Sequence, residues 1–148
     1  MRHGHAPTTA EAGVAKDALR PLSEKGRADA RAMAAELARR GGAPRLILHS
    51  PLTRAAQTAA EAASMLKGAS REAFVPLDNT KSAEEVVADL ASRANAVDEV
   101  LAVGHQPQIG EVAALLSQNL FEMRPATIVA LELEPAPRVL WAVSPEDL

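Results

Sequence analysis

The apolar positions of this chain alternate between a helical period and short continuous runs, which predicts strands and helices in alternation. Ser23 reads as an N-cap with Glu24 in the first turn, followed by Ala30, Met33, Ala34, Leu37 and Ala38 at helical spacing. Gly41-Gly42 ends that helix, and Arg39 and Arg40 complement its carboxyl end. A run within Arg45–His49, Leu46-Ile47-Leu48, is bounded by Gly-Gly-Ala-Pro and Ser50-Pro51, as in a buried parallel strand. A helix is expected from about Leu52 to Leu66, and a short strand at Ala73 to Pro76. Ser82 caps a third helix with Ala83, Val86, Val87, Leu90 and Ala94 as its apolar stripe. Glu99 to Val103 is the next buried strand, and Pro107 opens a helix through Val112, Leu115 and Leu116. Ala126–Leu133 and Arg138–Val143, separated by Glu134-Pro135-Ala136-Pro137, form a terminal antiparallel hairpin. His5 to Leu22, rich in Thr, Gly and Pro, is expected to be a loop that overhangs whatever site the strands build. The fold class is therefore α/β: a three-layer α/β/α sandwich around a largely parallel, mixed central sheet.

Composition narrows this picture. The 148 residues suffice for one domain, and no internal repeat or long linker divides them. Aromatic residues are only Phe74, Phe121 and Trp141, so the core must be built from Ala, Leu, Val and Ile. Without cysteine, disulfides, thiolate metal sites and a thiol nucleophile are excluded together, and a reducing cytoplasm fits best. A net charge of −3 argues against a nucleic-acid module, which would need a basic face, so any anion site must be local. No apolar run reaches the length of a membrane span, and the first residues lack the apolar core of a signal peptide.

Three strand ends carry related chemistry: Arg2-His3-Gly4, Ser50-Pro51-Leu52-Thr53-Arg54 and Gly104-His105-Gln106-Pro107. Ligands of open α/β sheets gather at the carboxyl ends of strands, so these dispersed segments can converge. A pocket holding His3, Arg2, Arg54 and His105 suits a dianion whose charge spreads over phosphoryl oxygens in the transition state. Arginine offers a planar fork to such oxygens, and the imidazole of His3 is available unprotonated as a nucleophile near neutral pH. Gly4 would let a bulky anion approach the backbone. Arg54, in the first turn of a helix, would add that helix's positive end.

These motifs resemble the histidine phosphatase superfamily, also called phosphoglycerate mutase-like. The Arg-His-Gly signature is matched by Arg2-His3-Gly4, Ser-Pro-x-x-Arg-Ala-x-Gln-Thr by Ser50 to Thr58 in full, and the late Gly-His by Gly104-His105. Arg20-Pro21-Leu22-Ser23-Glu24-Lys25-Gly26 resembles a stretch of the small SixA-type phosphohistidine phosphatases. The resemblance implies transient phosphorylation of His3, with Arg2, Arg54 and His105 binding the phosphoryl group and water releasing phosphate. No metal or other cofactor is implied. The partner implied is a phosphorylated protein or a small phosphorylated substrate. One nitrogen of His3 must face phosphorus while the other donates to a fixed acceptor, expected to be a backbone carbonyl.

The chain departs from that pattern in two places. A strand normally precedes Arg-His-Gly, whereas only Met1 does here, so the single domain over residues 1–148 is expected to have its first strand truncated. With Met1 at the terminus, the α-amino group would add positive charge to the pocket. The general acid of the family's phosphoesterases has no clear counterpart: Asp78, Glu84 and Glu85 are candidates by position alone, and solvated helix-start charge is their plainer account. Lack of an acid favours a phosphohistidine substrate, because imidazole protonated on its other nitrogen leaves neutral while an alkoxide needs a proton. The other readings are a small-molecule phosphomonoesterase and a silent phosphate- or phosphoprotein-binding module. His3-Gly4-His5 also has the spacing of a metal-binding pair, but only His49 and His105 remain as further histidines. His5 is expected at the pocket rim or in solvent, His49 is structural or functional, and Arg20 either reaches substrate or pairs with Asp17.

Overall fold

The computed structural model describes all residues from Met1 to Leu148. The first helix, α1 (Thr9–Ala12), lies inside the segment expected to be loop. A capping box explains it: Thr8 accepts from the Glu11 N–H, the Glu11 carboxylate accepts from the Thr8 N–H, and Gly13 closes the turn at φ 68°. A 3-10 turn at Asp17–Leu19 follows before α2 (Glu24–Arg39), capped by Ser23 as expected.

Strand β1 (Leu46–His49), α3 (Thr53–Met65), β2 (Ser70–Ala73), α4 (Ala83–Ala94), β3 (Val100–Val103) and α5 (Gln108–Ser117) complete the alternating part. The terminal hairpin is β4 (Ile128–Glu132) and β5 (Arg138–Val143). Strand β2 begins three residues before its expected start at Ala73. Residues Val75–Leu77 form a 3-10 turn instead, with Pro76 unable to donate to a ladder. Exposed throughout and apolar only at Ala73, β2 carries no apolar run to betray an edge strand.

The parallel sheet has the order β2-β1-β3, with Leu46–His49 in register with both Ser70–Ala73 and Val100–Val103. Side-chain alternation on β1 divides the core between two helical layers. Ile47 joins Met33, Leu37, Ala55 and Ala59 of α2 and α3, while Leu46 and Leu48 join Val86, Ile109 and Val112 of α4 and α5. With Ala at so many contact positions, α2 and α3 can pack closely without aromatic filling.

The central sheet is in two pieces. Strands β4 and β5 pair only with each other, and Met1–His3 lies between β3 and β4. His3 N–H donates to Gly104 O at 3.0 Å, Gly104 N–H to Met1 O at 3.1 Å, Arg2 N–H to Thr127 O at 3.0 Å and Ala126 N–H to His3 O at 3.0 Å. Beside Met1 an apolar cavity of about 270 Å³ opens between Val100 and Ala102 on one side and Val129 and Leu131 on the other. Met1 is buried, and its nitrogen donates to Ala102 O at 2.8 Å.

Candidate active site

Three segments deliver their side chains to one end of the parallel sheet: Arg2-His3 beside β3, Ser50 to Arg54 after β1, and His105 after β3. His3 is buried, with 8% of its surface exposed. Its Nδ1 lies 2.7 Å from Gly4 O, and its Nε2 accepts from Arg54 Nε–H at 3.3 Å. A carbonyl can only accept and a guanidinium can only donate. The neutral ring therefore carries its proton on Nδ1 and keeps the Nε2 lone pair toward the pocket. The acceptor that sequence could not identify is the carbonyl of the next residue.

Burial lowers the pKa of His3 to about 3. The Gly4 bond opposes this, while His105, Arg54 and Arg2 add to it. Desolvation, followed by Arg54, brings His105 to about 4, with Asp17 and Asp78 pulling the other way. Both rings are neutral at physiological pH, their centroids 5.1 Å apart.

His105 Nε2 lies 2.7 Å from Ser50 Oγ, which already accepts from Leu52 N–H at 3.2 Å. The serine proton has no other acceptor, so it goes to Nε2 and leaves the His105 proton on Nδ1. That Nδ1 and Arg2 Nε are the two buried side-chain nitrogens in the molecule without a partner. Arg2 is held at its other end by Met123 O, 2.8 Å from Nη1. Two idle donors in one site, beside a nucleophilic lone pair, form a receptor for acceptor-rich oxygens.

The rest of the Ser50–Thr58 segment braces this arrangement. Thr58 Oγ1 accepts from Gly4 N–H at 3.0 Å and donates to Arg54 O at 2.7 Å, while Gln57 Oε1 accepts from Leu22 N–H at 2.8 Å. One face of α3 thus fixes both the nucleophile's loop and the overhanging segment. Gly4 also answers a packing constraint: a Cβ there would lie 2.7 Å from Gly26 O, and a Cβ on Gly26 would lie 2.2 Å from His5 O. The two glycines let the nucleophile loop touch the first turn of α2.

Arg54 is used on every side. Nη1 donates to Asp17 O at 3.0 Å and Nη2 to Asp17 Oδ2 at 3.1 Å. Arg20 pairs with Asp17 at 3.0 Å and also donates to Pro7 O and Ala6 O. It is thus a clamp within the overhang. Sequence pointed to the Arg20–Asp17 pair but missed that Asp17 also grips Arg54, a contact between residues 37 apart that no local pattern reveals.

The remaining candidates stand outside this set. Glu85 closes the Ser82 capping box and Glu84 is exposed in the first turn of α4, so both are helix-start charges. Asp78 Oδ1 accepts from Thr80 N–H and Oγ1. His49 Nδ1 donates to Ser50 O at 2.9 Å, bracing the strand end. His5 is exposed, its Nδ1 2.8 Å from Ser23 Oγ. No three His, Asp or Glu side chains cluster as a metal site would require.

Residues 1–73 match the sequence profile of the histidine phosphatase superfamily (branch 1). No curated protein sequence matches the chain. Among solved structures it is similar to the protein histidine phosphatase SixA complexed with tungstate, at 29% identity and a TM-score of 0.87 over 98% of this chain and 94% of that one. It is also similar to a candidate phosphohistidine phosphatase SixA from Agrobacterium tumefaciens, at 23% identity and TM-score 0.84 over 97% and 94% of the two chains. A further candidate SixA, from Nakamurella multipartitia, is similar at 23% identity and TM-score 0.79 over 98% and 93%.

Proposed function

The chain belongs to the histidine phosphatase superfamily, and on that premise we propose that it is a metal-independent protein phosphohistidine phosphatase working through a phosphohistidine intermediate on His3. One observation carries this reading: an unprotonated His3 Nε2 stands beside Arg54 Nε and shares its pocket with the unpartnered donors of Arg2 and His105. Phosphoryl oxygens would take up the idle donors. Nε2 attacks phosphorus while Nδ1–H stays anchored on Gly4 O, which spreads the positive charge developing on the ring into a fixed dipole. Arg2 and Arg54 hold the transferring group, and His105 Nδ1–H donates to it. Water then attacks the phosphoenzyme and phosphate leaves.

The substrate class follows from the leaving group. Glu84 and Glu85 face solvent at a helix start, Asp78 is bonded to Thr80, and Asp17 is held ionised, its pKa lowered chiefly by Arg20. None is a ready proton donor, which suits departure of neutral imidazole better than departure of an alkoxide. The structural match to a SixA protein histidine phosphatase supports the same class. A small-molecule monoesterase would need the missing acid, and a silent binding module would not need a nucleophile held in one tautomer. We place the protein in the cytoplasm, acting on a phosphorylated protein and not on nucleic acid. No helix is long and apolar enough to cross a membrane.

The test is turnover of a phosphohistidine peptide and of p-nitrophenyl phosphate in chelator, by the wild-type chain and by His3→Ala. Peptide dephosphorylation that persists in chelator and disappears in His3→Ala is expected. Turnover confined to the nitrophenyl ester would shift the reading to the monoesterase, and phosphate binding without turnover to the silent module.

A further inference from the structure

Resting on the phosphohistidine reading above, the geometry points to Asp17 as the residue that selects the leaving group, presenting a carboxylate to the protonated nitrogen of a departing imidazole. Asp17 sits at the mouth: its side chain is 62% exposed while Arg54, to which it is bonded, is 9% exposed. His3 turns Nδ1 back to Gly4 O, so a phosphoryl group reaches Nε2 from the open side. In-line transfer places the leaving group on the far side of phosphorus from Nε2, toward that mouth.

The charges at the site fit this role. Arg2 and Arg54 match a phosphoryl dianion, and the His3 and His105 rings are neutral at physiological pH. A substrate imidazole protonated on its distal nitrogen brings one more positive charge, and the carboxylate bonded to the phosphate-binding arginine is that of Asp17. Arg20 fixes Oδ1 at 3.0 Å and is itself bolted to Pro7 O at 2.7 Å and Ala6 O at 3.0 Å. The carboxylate is therefore held in place by the overhang instead of swinging free.

In the transfer step His3 Nε2 gives its electron pair to phosphorus as the substrate P–N bond breaks. That bond's pair returns to the departing nitrogen, and the ring, already protonated at its other nitrogen, leaves neutral. A nearby carboxylate favours the protonated form of the substrate ring. With a phenyl ester the pair lands on oxygen, and a phenolate departs beside a like charge.

The experiment compares kcat/KM for the phosphohistidine peptide and for p-nitrophenyl phosphate in the wild-type chain and in Asp17→Asn. That variant keeps the main-chain carbonyl and an amide oxygen for Arg54 while removing the charge. The peptide value is expected to fall about tenfold, the effect of one pKa unit in the leaving ring, and the ester value to rise. Parallel losses on both substrates would mean that Asp17 only holds Arg54. Parallel gains would mean that it only competes with phosphate. Either result overturns the inference. Failure of the wild-type chain to act on the peptide would instead overturn the substrate class.

Discussion

Arg54 Nε–H donates to His3 Nε2 across 3.3 Å, while Gly4 O takes the proton on the opposite side of the same ring. The nucleophile is thus held between a donor and an acceptor, and its tautomer is fixed before any substrate arrives. Nitrogen-15 NMR should show His3 as the neutral Nδ1–H tautomer from about pH 8 to pH 5, because burial has brought its pKa to about 3. Titration near the ordinary histidine value of about 6.5 would contradict this.

Stability should fall in acid. His3 and His105 have folded pKa values of about 3 and 4, each below its unfolded value. Between those values the unfolded chain binds more protons, so their contribution is complete above the unfolded pKa and is lost as pH falls toward the folded one. Each ring can cost up to about 1.4 kcal/mol per pH unit below 6.5. Melting temperatures measured from about pH 8 to pH 4.5 should decline, less steeply in His105→Asn; a level profile would refute the assignment.

Arg54→Lys keeps the charge and removes the fork. A single ammonium cannot serve Asp17 O, Asp17 Oδ2 and the pocket together. We expect kcat/KM on the phosphohistidine peptide to drop about 100-fold, with inorganic phosphate a weaker product inhibitor. Retained phosphate inhibition would show that Arg54 does not bind the phosphoryl group.

Thr58→Val preserves shape and strands the buried Gly4 N–H. A loss of about 1–3 kcal/mol in urea unfolding is expected, and Thr58→Ser should restore most of it. Equal losses in both variants would point to packing rather than the hydroxyl.

Gly26→Ala forces a methyl against His5 O, backbone against which nothing flexible can yield. It should destabilise by about 1–3 kcal/mol and reduce turnover by displacing the nucleophile loop, whereas Gly13→Ala, with no atom near its Cβ, strains only its own turn. Comparing the two in melts and in peptide turnover separates contact from conformation.

The alternating layers and the pocket residues were legible because they are written locally. Leu46–Leu48 and Val100–Val103 are continuous apolar runs, and Arg54 and His105 each follow one, whereas Arg2 and His3 were read from the Arg-His-Gly motif alone. Strand β2 was displaced because Ser70–Ala73 is exposed and has no apolar run, so pairing with β1 alone defines it. The Thr8–Glu11 capping box was present in the sequence but outweighed by the surrounding Gly and Pro. Gly4 and Gly26 face each other across a contact formed only on folding, and the hold of Asp17 on Arg54 spans 37 positions. Tertiary pairs of this kind leave no periodic trace.

Met1–His3 also has a mechanical consequence. These three residues carry the main-chain bonds from Gly104, just after β3, to Ala126 and Thr127, which lead into the hairpin. The nucleophile is therefore mounted on the seam of the molecule. Any sliding of one half past the other would swing His3 out of line with Arg54, so catalytic alignment would fail while the helices on either side were still intact.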